Sequence, residues 1–151
     1  MQLTLYTDYT LRVLVYLSLQ PEQTITITEI ANFYAISRNH LVKIVHNLAT
    51  LGYIHTTRGK GGGLRLAVDP TKVTIGEIVR KVEPNFDIVE CFNAQNNKCV
   101  IEPLCALKNA LWQANREFLG VLDRHTLADA IKRDHPQPLT FLKPSRASVA
   151  K

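Results

Sequence analysis

The chain has 151 residues, of which 46% are apolar and 21% charged, a balance that excludes a disordered or low-complexity chain. No apolar run approaches the roughly eighteen residues of a membrane-spanning helix, and the richest, Leu11 to Leu19, is interrupted by Arg12. Eighteen basic against thirteen acidic side chains leave a net charge of +5, which suits a polyanionic partner.

No basic leader with an apolar core and cleavage site opens the sequence, so it reads as an unexported, cytoplasmic protein with no membrane partner. Within Asp8 to Leu19, the helical spacing of Leu11, Leu14, Val15 and Leu19 predicts a buried helix ending before Pro21. Thr28 is a candidate N-cap for a short second helix carrying Ile30, Ala31, Phe33 and Tyr34. Ala35-Ile36-Ser37 reads as a tight connection. Ser37 then caps a third helix with Leu41, Ile44, Val45, Leu48 and Leu51 on one face and Gly52 as its stop. A short helix, a tight turn and an amphipathic helix make a helix-turn-helix.

Tyr53 to Arg58 is strand-like and Leu64 to Leu66 is its return, joined by the basic, glycine-rich run Gly59 to Gly63. The spacing predicts a β-hairpin wing. It does not make a nucleotide-phosphate loop, because no Ser or Thr follows Lys60 and a strand, not a helix, comes next. Thr74-Ile75-Gly76-Glu77 has a capping-box pattern and opens a fourth helix with Ile75, Ile78, Val79 and Val82, stopped at Pro84. Asn85 to Glu102 is polar and irregular. A longer helix is expected from about Pro103 or Leu104, including Cys105. Its Leu107, Leu111, Ala114, Phe118, Val121 and His125 recur at alternating intervals of four and three, the spacing of a helix–helix seam. Thr126 to Asp129 can cap one last short helix, and the proline-containing end reads as a flexible tail. The expected fold is mainly α with a small β-hairpin: a winged helix-turn-helix with a long C-terminal dimerisation helix. Its parts are a DNA-binding domain at 1–83, a cysteine-bearing loop at 84–106, a dimerisation region at 103–133 and a tail at 134–151.

Charge is unevenly placed along this frame. Ala31 to Val68 holds no acid, whereas Thr71 to Asp134 holds nine basic and nine acidic residues. On the third helix Arg38, Asn39, His40, Lys43, His46 and Asn47 lie off the apolar face, and such side chains donate to phosphates or read base edges. Solvent-facing helices usually mix Glu with Lys; this one has no acid. Thr28 and Ser37 at helix starts and Arg58 and Lys60 on the wing complete the candidate DNA contacts. A two-fold protein of this kind reads a palindromic duplex.

All three cysteines, Cys91, Cys99 and Cys105, fall within one polar stretch that offers little core to bury them. Their spacing is not that of a zinc ribbon or a ferredoxin. Metal or cluster ligation is favoured over inert burial.

The opening Met1 to Thr4, Thr7-Asp8-Tyr9, the run Ser37 to Ile44, Arg58-Gly59-Lys60 with Gly62-Gly63, the three cysteines, Leu107-Lys108 and Leu127-Ala128-Asp129 together resemble one family. It is the nitric-oxide-sensing branch of the winged-helix regulators that include the iron–sulfur regulator IscR, and the resemblance covers about residues 1 to 133. It implies a homodimeric repressor, with nitric oxide as signal and one iron–sulfur cluster per subunit, [4Fe–4S] in preference to [2Fe–2S]. By the same resemblance Cys91, Cys99 and Cys105 hold the cluster, with Asp8 of the partner subunit as fourth ligand. Glu102 and His125 are weaker alternatives for that place. Leu107 stands where IscR-like proteins have a ligand histidine. The alternatives are an IscR-like regulator of cluster supply, a cluster-free thiol or zinc switch on the same fold, and an electron-transfer or other redox enzyme using the cluster, which would leave the basic window without a role. No nucleophile–base pair points to hydrolase chemistry, and the chain is read as a regulator and not an enzyme.

Overall fold

The computed structural model describes residues 2–132 of the chain; the expected tail at 134–151 lies outside them. Five α-helices and one two-stranded antiparallel hairpin follow in the order α1 (Leu5–Ser18), α2 (Ile27–Tyr34), α3 (Arg38–Thr50), β1 (Ile54–Thr57), β2 (Gly63–Leu66), α4 (Ile75–Val82) and α5 (Ala106–Asp123). The mainly α, winged helix-turn-helix class is as expected. Among the described residues no helix is long and apolar enough to cross a membrane.

α1 begins earlier than its apolar periodicity suggests, because Thr4 caps it by accepting the Thr7 N–H at 3.2 Å. Its buried face is Thr7, Thr10, Val13, Leu14, Leu17 and Ser18, while Leu11, Val15 and Leu19 are half-buried. The buried hydroxyls are satisfied within the helix or across it. Thr10 and Ser18 donate to the carbonyls of Tyr6 and Leu14 at 2.7 and 2.8 Å, and Thr7 donates to Glu83.

The N-cap of α2 is Thr26, not Thr28. Thr26 accepts the Glu29 N–H at 3.2 Å and Glu29 reaches back to the Thr26 N–H at 2.6 Å, closing a capping box that Thr28 has no acid in register to form. Thr28 is therefore an exposed residue of the first turn. The turn into α3 uses Ala35 in the left-handed conformation, φ 54°. Ser37 is the N-cap residue of α3, but its side chain makes no capping hydrogen bond; its carbonyl receives the His40 and Leu41 N–H groups. Gly52, φ 78°, follows α3 as the sequence requires.

Leu41, Ile44, Val45 and Leu48 of α3 pack into one core with α1, Ile30 of α2, Tyr53, Ile54, Leu64 and Ile78. Tyr53 is 2% exposed, and its hydroxyl finds an acceptor in Glu77 at 2.8 Å. That bond and Lys81 explain why Glu77 does not complete a capping box with Thr74, which accepts only the Glu77 N–H. The hairpin pairs Ile54 with Leu66 through Thr57 with Gly63. It is pinned to the head by a bridge between Ile25 and Leu64, with hydrogen bonds of 3.0 and 2.7 Å, and by Arg65 donating to the Glu22 carbonyl at 2.6 Å. A Cβ at Gly63 would stand 2.7 Å from the Ile25 carbonyl oxygen, so glycine is what lets β2 approach this bridge.

Cys105 does not lie inside the long helix. A 3-10 turn, Glu102–Leu104, precedes it, and Cys105 is the N-cap of α5, its Sγ accepting the Lys108 N–H at 3.4 Å. Pro103 in that turn fits a tight 3-10 start rather than a longer α-helix. At its other end α5 is tied to the head. Arg80 of α4 and Asp123 form a two-pronged ion pair, the second contact at 2.7 Å. The chain then returns along the head, where Leu127 is fully buried and donates its N–H to the Val73 carbonyl at 2.8 Å. Thr126 and Asp129 cap each other around the closing 3-10 turn, Asp129–Ile131.

Candidate DNA-binding face and thiol segment

Burial of four apolar residues on one side of α3 leaves the opposite side to water. Arg38, Asn39, His40, Lys43 and His46 are exposed and Asn47 is half-exposed. The wing places Arg58 and Lys60 in solvent, with Gly59 and Gly61 at positive φ shaping its tip. Between these parts lies an open cleft of about 610 Å³, lined by Thr28 of α2, Arg38, Val42 and His46 of α3, and Arg58 and Gly59 of the wing. Six of the ten predicted contacts are elsewhere. Ser37 and Asn39 open α3, Asn47 lies further along it, and Lys60 is at the wing tip. His40 and Lys43 turn toward α1 and line a smaller groove with Leu5, Tyr6 and Tyr9. Geometry thus divides the basic face into a side toward the wing and a side toward α1.

Asp8 precedes Tyr9 on α1 and does not itself line that groove. Its carboxylate accepts from Arg12 at 3.0 and 2.8 Å within α1. Arg12 in turn lies over the Tyr9 and Tyr34 rings, 5.8 and 5.7 Å from their centroids. Its guanidinium is held above the usual arginine value, first by the bond to Asp8.

The cysteines are all free: Cys91 and Cys105 are half-buried and Cys99 is exposed. Cys91 lies in a 3-10 turn, Glu90–Phe92, and Cys99 follows a turn in which its N–H meets the Asn97 side chain at 3.0 Å. Lys108 pairs with Glu102, and its ammonium is held above the ordinary lysine value, chiefly by that carboxylate and further by Cys91 and Cys105. The Lys108–Glu102 pair escapes sequence reasoning because it depends on the turn before α5. In chemistry the donor set fits an iron–sulfur cluster: three free thiols on one segment. Among the described residues, no group of three His, Cys, Asp or Glu side chains converges to hold a metal. Glu102 is committed to Lys108, and His125 lies at the far end of α5, where its carbonyl receives the Ile75 N–H.

Glu83 was not anticipated as an organising residue. Its carboxylate accepts from the Thr4 N–H and hydroxyl at 3.2 and 3.0 Å and from the Thr7 hydroxyl, joining the start of α1 to the end of α4. A capping motif read along the chain contains no sign of a partner 79 residues away.

The helix-turn-helix, its pinned wing and a basic exposed face define a winged-helix DNA-binding transcriptional regulator. Residues 3–133 match the Rrf2 family model, described as an iron-dependent transcriptional regulator. The HTH-type transcriptional regulator NsrR of Bacillus subtilis is 52% identical over 133 residues, spanning 87% of this chain and 91% of that protein. NsrR of Shouchella clausii is 46% identical over 132 residues, spanning 87% and 89%. Among solved structures, oxidised CymR of Staphylococcus aureus superposes with a TM-score of 0.70 at 25% identity, covering 89% of this chain and 99% of that one. T. potens IscR superposes at 0.69 with 20% identity, over 93% and 96% of the two chains, a likeness of fold. The chain belongs to the Rrf2 family of transcriptional regulators, and within it to the NsrR group. Its relatives are regulators of transcription, not enzymes.

Proposed function

We propose that this regulator is a cytoplasmic homodimeric repressor that releases a palindromic DNA operator in response to nitric oxide. Cys91, Cys99 and Cys105 would hold an iron–sulfur cluster, of the [4Fe–4S] type, with Asp8 of a second copy as the fourth ligand. When bound, the cluster supplies iron that reacts with nitric oxide.

The observation that carries this reading is the position of the thiols. They occupy the segment between α4, which completes the winged head, and α5, which meets α4 on one side and leaves much of its surface exposed among the described residues. Asn115 is the one buried residue of α5, and Leu107, Trp112 and Val121 are 66, 53 and 42% exposed. A second copy covering this face would fix the distance between two heads, and the order of the 84–106 segment would then govern how they are held. Asp8 contributes a carboxylate that Arg12 holds in the single chain, so ligation to a second copy's iron draws it from a surface ion pair of small worth.

On the DNA side, exposed Arg38, Asn39, His46 and Lys43 supply donors for base edges and phosphates, and Thr28, Ser37, His40, Asn47, Arg58 and Lys60 flank them. The test is anaerobic purification with iron and sulfide counted, followed by nitric oxide titration read in parallel by absorbance and by DNA binding. Cluster-level iron, with bleaching that tracks loss of DNA binding, is the expected result. A cluster indifferent to nitric oxide would overturn the signal, and iron-free protein with full DNA binding would overturn the cofactor.

A further inference from the structure

The exposed residues of α3 are polar except at one position. Val42 is 44% exposed, although the apolar residues of α3 that build the core, Leu41, Ile44, Val45 and Leu48, are all buried. It lies one helical turn from both Arg38 and His46. The three line the same cleft, facing Thr28 of α2 and Arg58 of the wing. A β-branched residue gains nothing at an exposed helical site: it is a weaker helix former than Ala, Lys or Glu. It offers no hydrogen bond to a phosphate. What it does offer is a compact apolar surface held at fixed χ1, set between two hydrogen-bonding neighbours. In the major groove the apolar group that distinguishes one base pair from the others is the C5-methyl of thymine.

We propose that Val42 is a specificity-determining residue of this regulator, packing its methyl groups against the C5-methyl of a thymine in the major groove. Arg38 and His46, one turn to either side, bond to the neighbouring base edges or phosphates and set the depth of the contact. Cytosine at that step would present an amino group to an apolar side chain that cannot accept its proton, and uracil would leave the valine facing a gap. The proposal rests on α3 being the recognition helix.

The experiment begins with selection of duplexes from a random-sequence pool by the full-length protein. The selected duplex is then resynthesised with deoxyuridine replacing each thymine in turn. Affinities of the wild-type protein and of Val42→Ala are measured at one fixed salt concentration. Removing a single methyl-sized apolar contact weakens binding about fourfold. The wild type is therefore expected to lose about fourfold at one thymine position of each half-site, and Val42→Ala to be insensitive there. On the unsubstituted duplex Val42→Ala should itself bind about fourfold more weakly. Equal losses in both proteins, or no thymine at which the wild type responds, would overturn the assignment. Val42 is exposed, so its thermal midpoint should be unchanged on truncation; if it falls, the comparison is made with Val42→Thr, which keeps the branched shape. Failure to select any duplex would overturn the recognition-helix reading itself, and this proposal with it.

Discussion

At the scale of single residues, Asp8 and Lys43 separate the two halves of the functional reading. Asp8 is half-exposed and bonded to Arg12, so Asp8→Ala should cost under about 1 kcal/mol in fold stability. Its expected effect is on the cluster: altered absorbance and faster loss of iron under anaerobic conditions, with DNA binding partly retained. Identical spectra and identical nitric oxide reactivity would remove Asp8 from the ligand set. Lys43 is exposed on α3 and makes no ion pair among the described residues. As a phosphate contact, its replacement in Lys43→Ala should weaken binding to all duplexes and lower the slope of log affinity against log salt by roughly one per site. Iron content should be unchanged; an unaltered salt slope would take Lys43 off the DNA.

At the scale of elements, the ends of helices carry much of the local order. Thr26 and Glu29 close both sides of the cap on α2, a helix of eight residues. Thr26→Ala is expected to lower stability by about 1 kcal/mol, seen as a lower thermal midpoint. It should weaken DNA binding less than Arg38→Ala, because Arg38 also loses its charge. The turn after α5 depends on charge more strongly. Asp129 is held well below the ordinary carboxylate range, first by Lys132 and then by the Thr126 N–H and hydroxyl. A depressed folded-state value means its contribution is complete above the unfolded value near 4 and is lost as pH falls below it. Melting followed between pH 6 and 2 should therefore show Asp129→Asn losing less stability on acidification than the wild type. Parallel losses would show that this cap does not govern the acid limb.

At the scale of the whole molecule, α5 is the element that one chain leaves unfinished. It meets α4 and is clamped by Arg80 and Asp123, yet the seam read from its spacing is half or fully exposed from Leu107 to His125. Under the proposed homodimer, a second copy would cover this seam. Leu107→Glu combined with Trp112→Glu should convert a dimer to a monomer by sedimentation and weaken operator binding more than tenfold, since two half-sites are then bound without linkage. A double variant that still sediments as a dimer would place the interface elsewhere.

The sequence alone determined the helix-turn-helix, the wing, the stops at Gly52 and Pro84 and the acid-free face of α3, because each is written in local periodicity, capping chemistry or charge. It also determined that every thiol lies in one segment. Tertiary structure decided what depends on pairs distant in the chain: Glu83 on Thr4 and Thr7, Leu127 filling the head core, and Arg80 on Asp123. It moved the α2 cap from Thr28 to Thr26 and put Cys105 at the cap of α5 rather than within it, its Sγ accepting the Lys108 N–H. Period and composition report which face of an element is apolar. Which neighbour covers that face, and which charged group meets which, is fixed only when burial and hydrogen bonding are satisfied together.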